Sequence, residues 1–156
     1  MSVTQDVASL LGKGALMGLD PGTKTIGVAV SDGLQMTATA LETIRRRKFS
    51  QDAVRLAELA RDRTIAGVIV GLPLNMDGSE GPRAQSCRAF ARNVAEKLDL
   101  PVVLWDERLT TTAAERTLLE ADTSRKRRAE VIDALAAQFI LQGALDRLAV
   151  LARGGS

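Results

Sequence analysis

A strand, a bend that carries an acid and a second strand occupy residues 15–32, ALMGLDPGTKTIGVAVSD, and leave this chain few ways to begin folding. Ala15, Leu16, Met17 and Leu19 lead into Asp20, Pro21 and Gly22 break the run, and residues 26–30 resume it with β-branched side chains. Two such runs so close in sequence predict an antiparallel hairpin with a carboxylate at its mouth. Pro21 presets φ for a turn, Gly22 tolerates a positive φ, and Thr23, Lys24 and Thr25 supply donors beside the acid. Such a loop suits a phosphate or a metal-bound phosphate. An Asp at a strand end is also a common turn-former, so other residues must converge on Asp20 before it counts as a site.

The later segments predict what the hairpin joins. Residues 35–40 form a weakly marked third strand, and the basic run Arg45, Arg46, Arg47 and Lys48 reads as a solvated loop. Ser50 caps a helix to about Arg63, with Ala53, Leu56, Ala57 and Ala60 on one face. Residues 66–70 and 101–105 are apolar at consecutive positions, which suits strands buried on both faces of a parallel sheet, and Gly71 is expected to end the first. Between them, a turn-rich loop at 71–82 leads into a helix from Pro82 to Leu98, whose stripe of Ala84, Cys87, Ala91, Val94 and Leu98 makes Cys87 a packed residue. Thr112 and Glu115 have capping-box spacing for a helix to about Glu120. A polar loop at 121–128 carries Arg125, Lys126, Arg127 and Arg128, a last helix runs from about Ala129 to Leu148, and residues 152–156 are a frayed tail. This order predicts an α/β fold: a mixed five-stranded sheet, antiparallel hairpin plus parallel strands, with helices on both faces.

At 156 residues the chain is expected to form a single domain, with residues 1–13 as an N-terminal extension. The net charge of +2 is too small to name a partner. No signal peptide or membrane span is expected, and a single cysteine excludes an intrachain disulfide and makes a cytoplasmic location the default. The absences say more. With no histidine, no tyrosine and one cysteine, the chain has no means to build the usual zinc site, a Ser-His-Asp triad, a Cys-His pair or a tyrosine nucleophile. Its chemical tools are carboxylates, hydroxyls, lysines, arginines and a hard cation with oxygen ligands. Three phenylalanines and one tryptophan are too few for a base-stacking platform, so nucleic-acid binding would run through the backbone.

Ligands of open α/β sheets gather at the carboxyl ends of parallel strands, and three acids point there. Asp20 ends the first strand. Asp106 and Glu107 follow the strand at 101–105, and because successive side chains alternate, one of them faces the site. Asp133 lies on the last helix, with Ala136, Ala137, Ile140 and Leu141 at i+3, i+4, i+7 and i+8, so it points from an apolar face toward the sheet. An acid there is costly unless paired, for example with Arg108, or bound to a metal. Several carboxylates without histidine suit one or two Mg²⁺ or Mn²⁺ ions in phosphodiester hydrolysis, one activating the attacking water and a second stabilising the leaving oxygen, a two-metal-ion mechanism.

The segments GLDPGTKTIGVAVSD, IVGLPLNMDGSEGPRAQSCRAFARNV, DERLTT and VIDALAAQFIL, in this order and spanning residues 15–148, resemble the YqgF (RuvX) family of candidate pre-16S ribosomal RNA nucleases, also described as Holliday-junction-resolvase-like. The resemblance implies an RNase H-like fold and an acidic site at Asp20, Glu107 and Asp133, which selects Glu107 over Asp106. It also implies that the loop at 72–78 belongs near the site. Many relatives carry an aromatic residue after the first Asp, where this chain has Pro21; the acid is kept and the turn altered. Candidate contacts to substrate backbone are Thr23, Lys24, Asn75, Arg83, Arg108 and the run Arg125, Lys126, Arg127, Arg128. The expected activity is metal-dependent cleavage of structured RNA, at the 5′ end of the small-subunit precursor and in the company of ribosomal precursor particles. Two alternatives use the same fold: cleavage of four-way DNA junctions, and a non-catalytic nucleic-acid-binding or ribosome-assembly module in which the basic runs carry the function.

Overall fold

Six strands pair into one mixed sheet among the residues that the computed structural model describes, 3–109 and 125–154. In chain order they are β1 (Val3–Thr4), β2 (Leu16–Pro21), β3 (Thr25–Ser31), β4 (Ala38–Arg45), β5 (Gly67–Leu72) and β6 (Val102–Asp106), with helices α1 (Phe49–Asp62), α2 (Pro82–Leu98) and α3 (Arg125–Ala152). Across the sheet the order is β1-β6-β5-β2-β3-β4. β1, β6, β5 and β2 run parallel, while β3 and β4 are antiparallel additions joined by short connections.

Alternation along each strand builds two cores. Met17, Leu19, Val28, Val68, Val70, Val102 and Leu104 point to one face, where Leu56 and Leu59 of α1 and Phe90, Ala91 and Val94 of α2 cover them. Leu16, Ala29, Ile69, Val103 and Trp105 point to the other, beneath Ala137, Ile140, Leu141, Ala144, Leu145 and Leu148 of α3. Consecutive apolar residues in β5 and β6 are thus explained by burial on both faces. Gly18 lets α3 sit directly on β2: a Cβ there would lie 2.7 Å from Leu141 Cβ and 3.1 Å from the Ala137 carbonyl oxygen.

Several expectations are corrected. The sheet has six strands, not five, because the N-terminal extension supplies β1 on the edge of β6, and a 3₁₀ turn at Val7–Leu10 sets Leu10, 1% exposed, over Gly67. The third strand lies at Ala38–Arg45 rather than 35–40, since residues 32–37 form the connection, with the Asp32 carboxylate accepting the N–H groups of Met36 and Thr37. Gly71 lies within β5 and does not end it. α1 is capped at Lys48, not Ser50; the buried Asp52 carboxylate reaches back to accept the Arg47 N–H at 3.1 Å. Residues 125–128, expected in a loop, are already the first turn of α3. The helix expected after Thr112 lies outside the described residues. By length and hydropathy, Ile132–Ala152 (21 residues, mean hydropathy 1.3) matches a membrane-crossing helix, contrary to expectation, but its apolar side is packed onto the sheet.

Candidate active site

Backbone register brings the three acids of the sequence to one end of the sheet and one face. Asp20 shares the face of Gly18, two residues before it on β2, and therefore looks toward α3. Its cross-strand partner on β3 is Gly27, and on the other side, one step beyond the Leu19–Val70 pairing, stands Gly71 of β5. Both neighbours are glycines, and each is covered by another of the acids. A Cβ on Gly27 would collide with the Asp133 carbonyl oxygen, and a Cβ on Gly71 would lie 2.8 Å from Glu107 Oε1. Asp133, Asp20 and Glu107 thus stand over β3, β2 and β5 in turn, each half-buried. With strands about 4.8 Å apart, the row spans roughly 10 Å.

Each acid is held by its own element. Asp133 Oδ2 accepts the Thr25 hydroxyl at 2.6 Å, with no basic partner among the described residues, and Thr25 reaches it because it shares the face of Gly27 on β3. Glu107 opens a 3₁₀ turn (Glu107–Leu109) directly after β6. Trp105 packs under α3, so alternation sends Asp106 to the opposite face. There Asp106 takes the Arg108 guanidinium at 2.7 Å, and this bond holds its carboxyl below the usual carboxylate range.

The other candidates divide into three groups. Thr23 and Lys24 are exposed at the tip of the β2–β3 turn, which is closed by Gly22 N–H donating to the Thr25 carbonyl at 2.8 Å. Asn75 and Arg108 serve the neighbouring loop: the Asn75 amide donates to the Ser79 hydroxyl at 2.9 Å, and Arg108 donates to the Met76 carbonyl at 3.3 Å, tying the loop after β5 to the turn that carries Glu107. Arg83 is exposed on the first turn of α2, beside the β2–β3 turn in a cavity of about 480 Å³ that also contains Arg46 and Arg47. The backbone of Arg125, Lys126, Arg127 and Arg128 is helical, and their side chains lie outside the described set. Sequence reasoning counts Thr25 among the donors beside Asp20 but misses its bond to Asp133, whose only signal is the parity of Thr25 with Gly27. It also misses Arg46, which its basic neighbours assign to a solvated loop but which lies 5.4 Å from the Phe90 ring centroid and donates to the Gly22 carbonyl.

Cys87 reports the field at this edge. Burial, then the negative charge of Glu107, pushes its thiol up to about 11, with Asp20 acting in the same direction and Arg83 and Arg46 against it. Acids and arginines therefore flank one buried sulfur. Among the described residues no three acidic or thiol side chains are gathered closely enough to enclose a metal ion. The donor chemistry nevertheless suits a hard cation: the side chains along this row are carboxylates and a hydroxyl, and the two glycines let the Asp133 backbone and the Glu107 carboxylate lie directly on the strands beside Asp20.

Comparison with known proteins bears on the family and the fold. A family model described as "RuvX: Holliday junction resolvase" matches residues 14–147. A protein of Cereibacter sphaeroides is 66% identical over 149 residues, covering 96% of this chain and 93% of its own; one of Paracoccus denitrificans is 66% identical over 140 residues, covering 90% and 89%. Both are named as candidate pre-16S rRNA nucleases. Among solved structures, RuvC of T. thermophilus in complex with a Holliday junction substrate superposes with a TM-score of 0.55 at 15% identity, over 86% of this chain and 96% of that one, a likeness of fold. The matched span takes in Asp20, Glu107 and Asp133 together with the strands and helix that carry them, and the chain belongs to the RuvX family.

Proposed function

We propose that this protein is a nuclease that hydrolyses phosphodiester bonds of structured RNA, processing the 5′ end of the small-subunit ribosomal RNA precursor in the cytoplasm, with Asp20, Glu107 and Asp133 as its working carboxylates. The observation that carries the reading is the row of three acids over adjacent strands, with glycines on both sides of Asp20. The names of the curated relatives support the substrate.

Asp20, Glu107 and Asp133 would hold Mg²⁺ or Mn²⁺, one ion or two, which when bound supplies positive charge against the phosphate and lowers the pKa of water. The chain's own residues do the rest. Thr25 fixes the Asp133 carboxylate in one orientation. Thr23 and Lys24, at the tip of the turn that follows Asp20, offer donors to the phosphate, and Arg108 keeps the loop after β5 against the Glu107 turn. The test is cleavage of a precursor-RNA substrate in magnesium. The Asp20→Asn, Glu107→Gln double variant should lose on the order of 10²- to 10⁴-fold in rate while its circular dichroism stays native; undiminished cleavage would remove these residues from the mechanism.

Cleavage of four-way DNA junctions by the same residues is favoured by the family description, and competition between junction DNA and precursor RNA separates the two substrates. A binding module without turnover is the other reading, favoured by the arginines gathered beside the β2–β3 turn. That reading requires RNA affinity that survives both substitutions and metal chelation, with no product formed.

A further inference from the structure

Next to the acidic row, on the other side of the β2–β3 turn, lies the cavity of about 480 Å³ lined by Gly22, Thr23, Arg46, Arg47, Arg83 and Ser86, with Cys87 at its base. Its lining holds, among the described residues, three arginines and two hydroxyl side chains, and no acid. Among the described residues, the carboxylates that form ion pairs take Arg55, Arg88 and Arg108, and none takes these three. Like charges brought together repel one another, so such a cluster is held in place by the fold and attracts an anion.

The fold does hold it. Arg46 donates its N–H to the Lys24 carbonyl at 2.8 Å and its guanidinium to the Gly22 carbonyl, with the Phe90 ring beneath. Arg47 has its N–H anchored on the Asp52 carboxylate, which is 3% exposed. Arg83 and Ser86 stand on the first turns of the 17-residue α2, whose N-cap, Gly81, offers no side-chain acceptor. Three separate elements thus present their donors to one space. Pro21 and Gly22, which line this space, directly follow Asp20 in the chain and so put it beside the acidic row.

We infer that this cavity binds a phosphate group of the nucleic-acid strand whose neighbouring linkage lies over Asp20, Glu107 and Asp133. Planar guanidinium forks match tetrahedral oxyanions, and a phosphomonoester at a strand end offers more charge and more acceptor oxygens than an internal diester. A terminal phosphate is therefore the better fit, and a strand seated by its end would have the scissile bond at a set distance from that end. The inference takes the identity of the strand from the nuclease reading and the binding chemistry from the cavity itself.

The experiment measures binding without turnover. Single-stranded RNA oligonucleotides of one sequence, ending in a 5′-phosphate, a 3′-phosphate or hydroxyls only, are titrated with the full-length protein in EDTA by fluorescence anisotropy, at several salt concentrations. The variants are Arg47→Gln with Arg83→Gln, and Arg46→Lys, which keeps the charge beside Phe90. Wild type should prefer one phosphorylated end by about tenfold or more, and the double variant should lose that preference. Equal binding of all three RNAs, with the double variant lowering the salt slope by about 0.7 for each phosphate it no longer neutralises, would assign the cavity to an internal phosphodiester and still support it. Unchanged affinity and salt slope in the double variant would overturn it. Cleavage is not read, so failure of the nuclease reading leaves each of these outcomes legible.

Discussion

Gly27 shows how much one missing side chain decides. Its place opposite Asp20 and beneath the Asp133 carbonyl means that a methyl group has nowhere to go unless β3 or α3 moves. Gly27→Ala should cost about 1–3 kcal/mol in a urea titration, the usual range for overpacking a tight contact. It should also depress RNA cleavage at temperatures where the variant remains folded, because the helix that must lift carries Asp133. Cys87 allows a second test at this scale. Its folded value near 11 lies above the ordinary thiol value of 9.0, so the protonated thiol favours the native state. That contribution is complete below pH 9 and is lost as pH rises toward 11, roughly 2–3 kcal/mol in all. Stability measured against pH should therefore fall more steeply in wild type than in Cys87→Ala over that interval, and parallel curves would contradict it.

At the scale of elements, the N-terminal extension is structural. Leu10 is 1% exposed and fills the space over Gly67, so Leu10→Ala should destabilise by about 2–5 kcal/mol, as for a central core leucine. A midpoint of chemical denaturation close to wild type would show that the turn at Val7–Leu10 can detach without consequence. This element is also the least legible in the sequence. A two-residue strand has no periodicity to read, and β1 exists because β6 offers it an edge. β5, α2 and β6 are readable because their apolar patterns match burial on two faces, one stripe and two faces. β4 is hard to place because it is an edge strand of mostly half-buried residues, so ATALETIR alternates weakly, and its last residue, Arg45, belongs to a run that composition assigns to solvent.

For the whole molecule, the sequence discloses which acids matter more readily than what surrounds them. Asp20 and Asp133 stand out through local pattern alone, one at a strand end and one on an apolar helical face. The choice between Asp106 and Glu107 comes from resemblance, although alternation from Trp105 carries the same information once the packing of Trp105 is known. Thr25, Gly27, Gly71 and the convergence of Arg46, Arg47 and Arg83 depend on contacts between distant segments, which no local window contains. The cavity lies on the face of α1 and α2 and the acids on the face of α3; Gly22 and Thr23 of the β2–β3 turn line the cavity and Asp20 directly precedes that turn, so the turn links the two.

The backbone contact between α3 and the two glycines of the hairpin, Gly18 and Gly27, has a consequence for variation. Where two elements meet through side chains, a core can be repacked and the gap between them drifts with each change of volume. Where main chain meets main chain, the gap is a constant of the polypeptide itself. The height of Asp133 above the sheet is therefore insulated from exchanges among the leucines, isoleucines and valines around it. Sequences sharing this arrangement are free to diverge in their cores while keeping one ruler for the spacing of their acids.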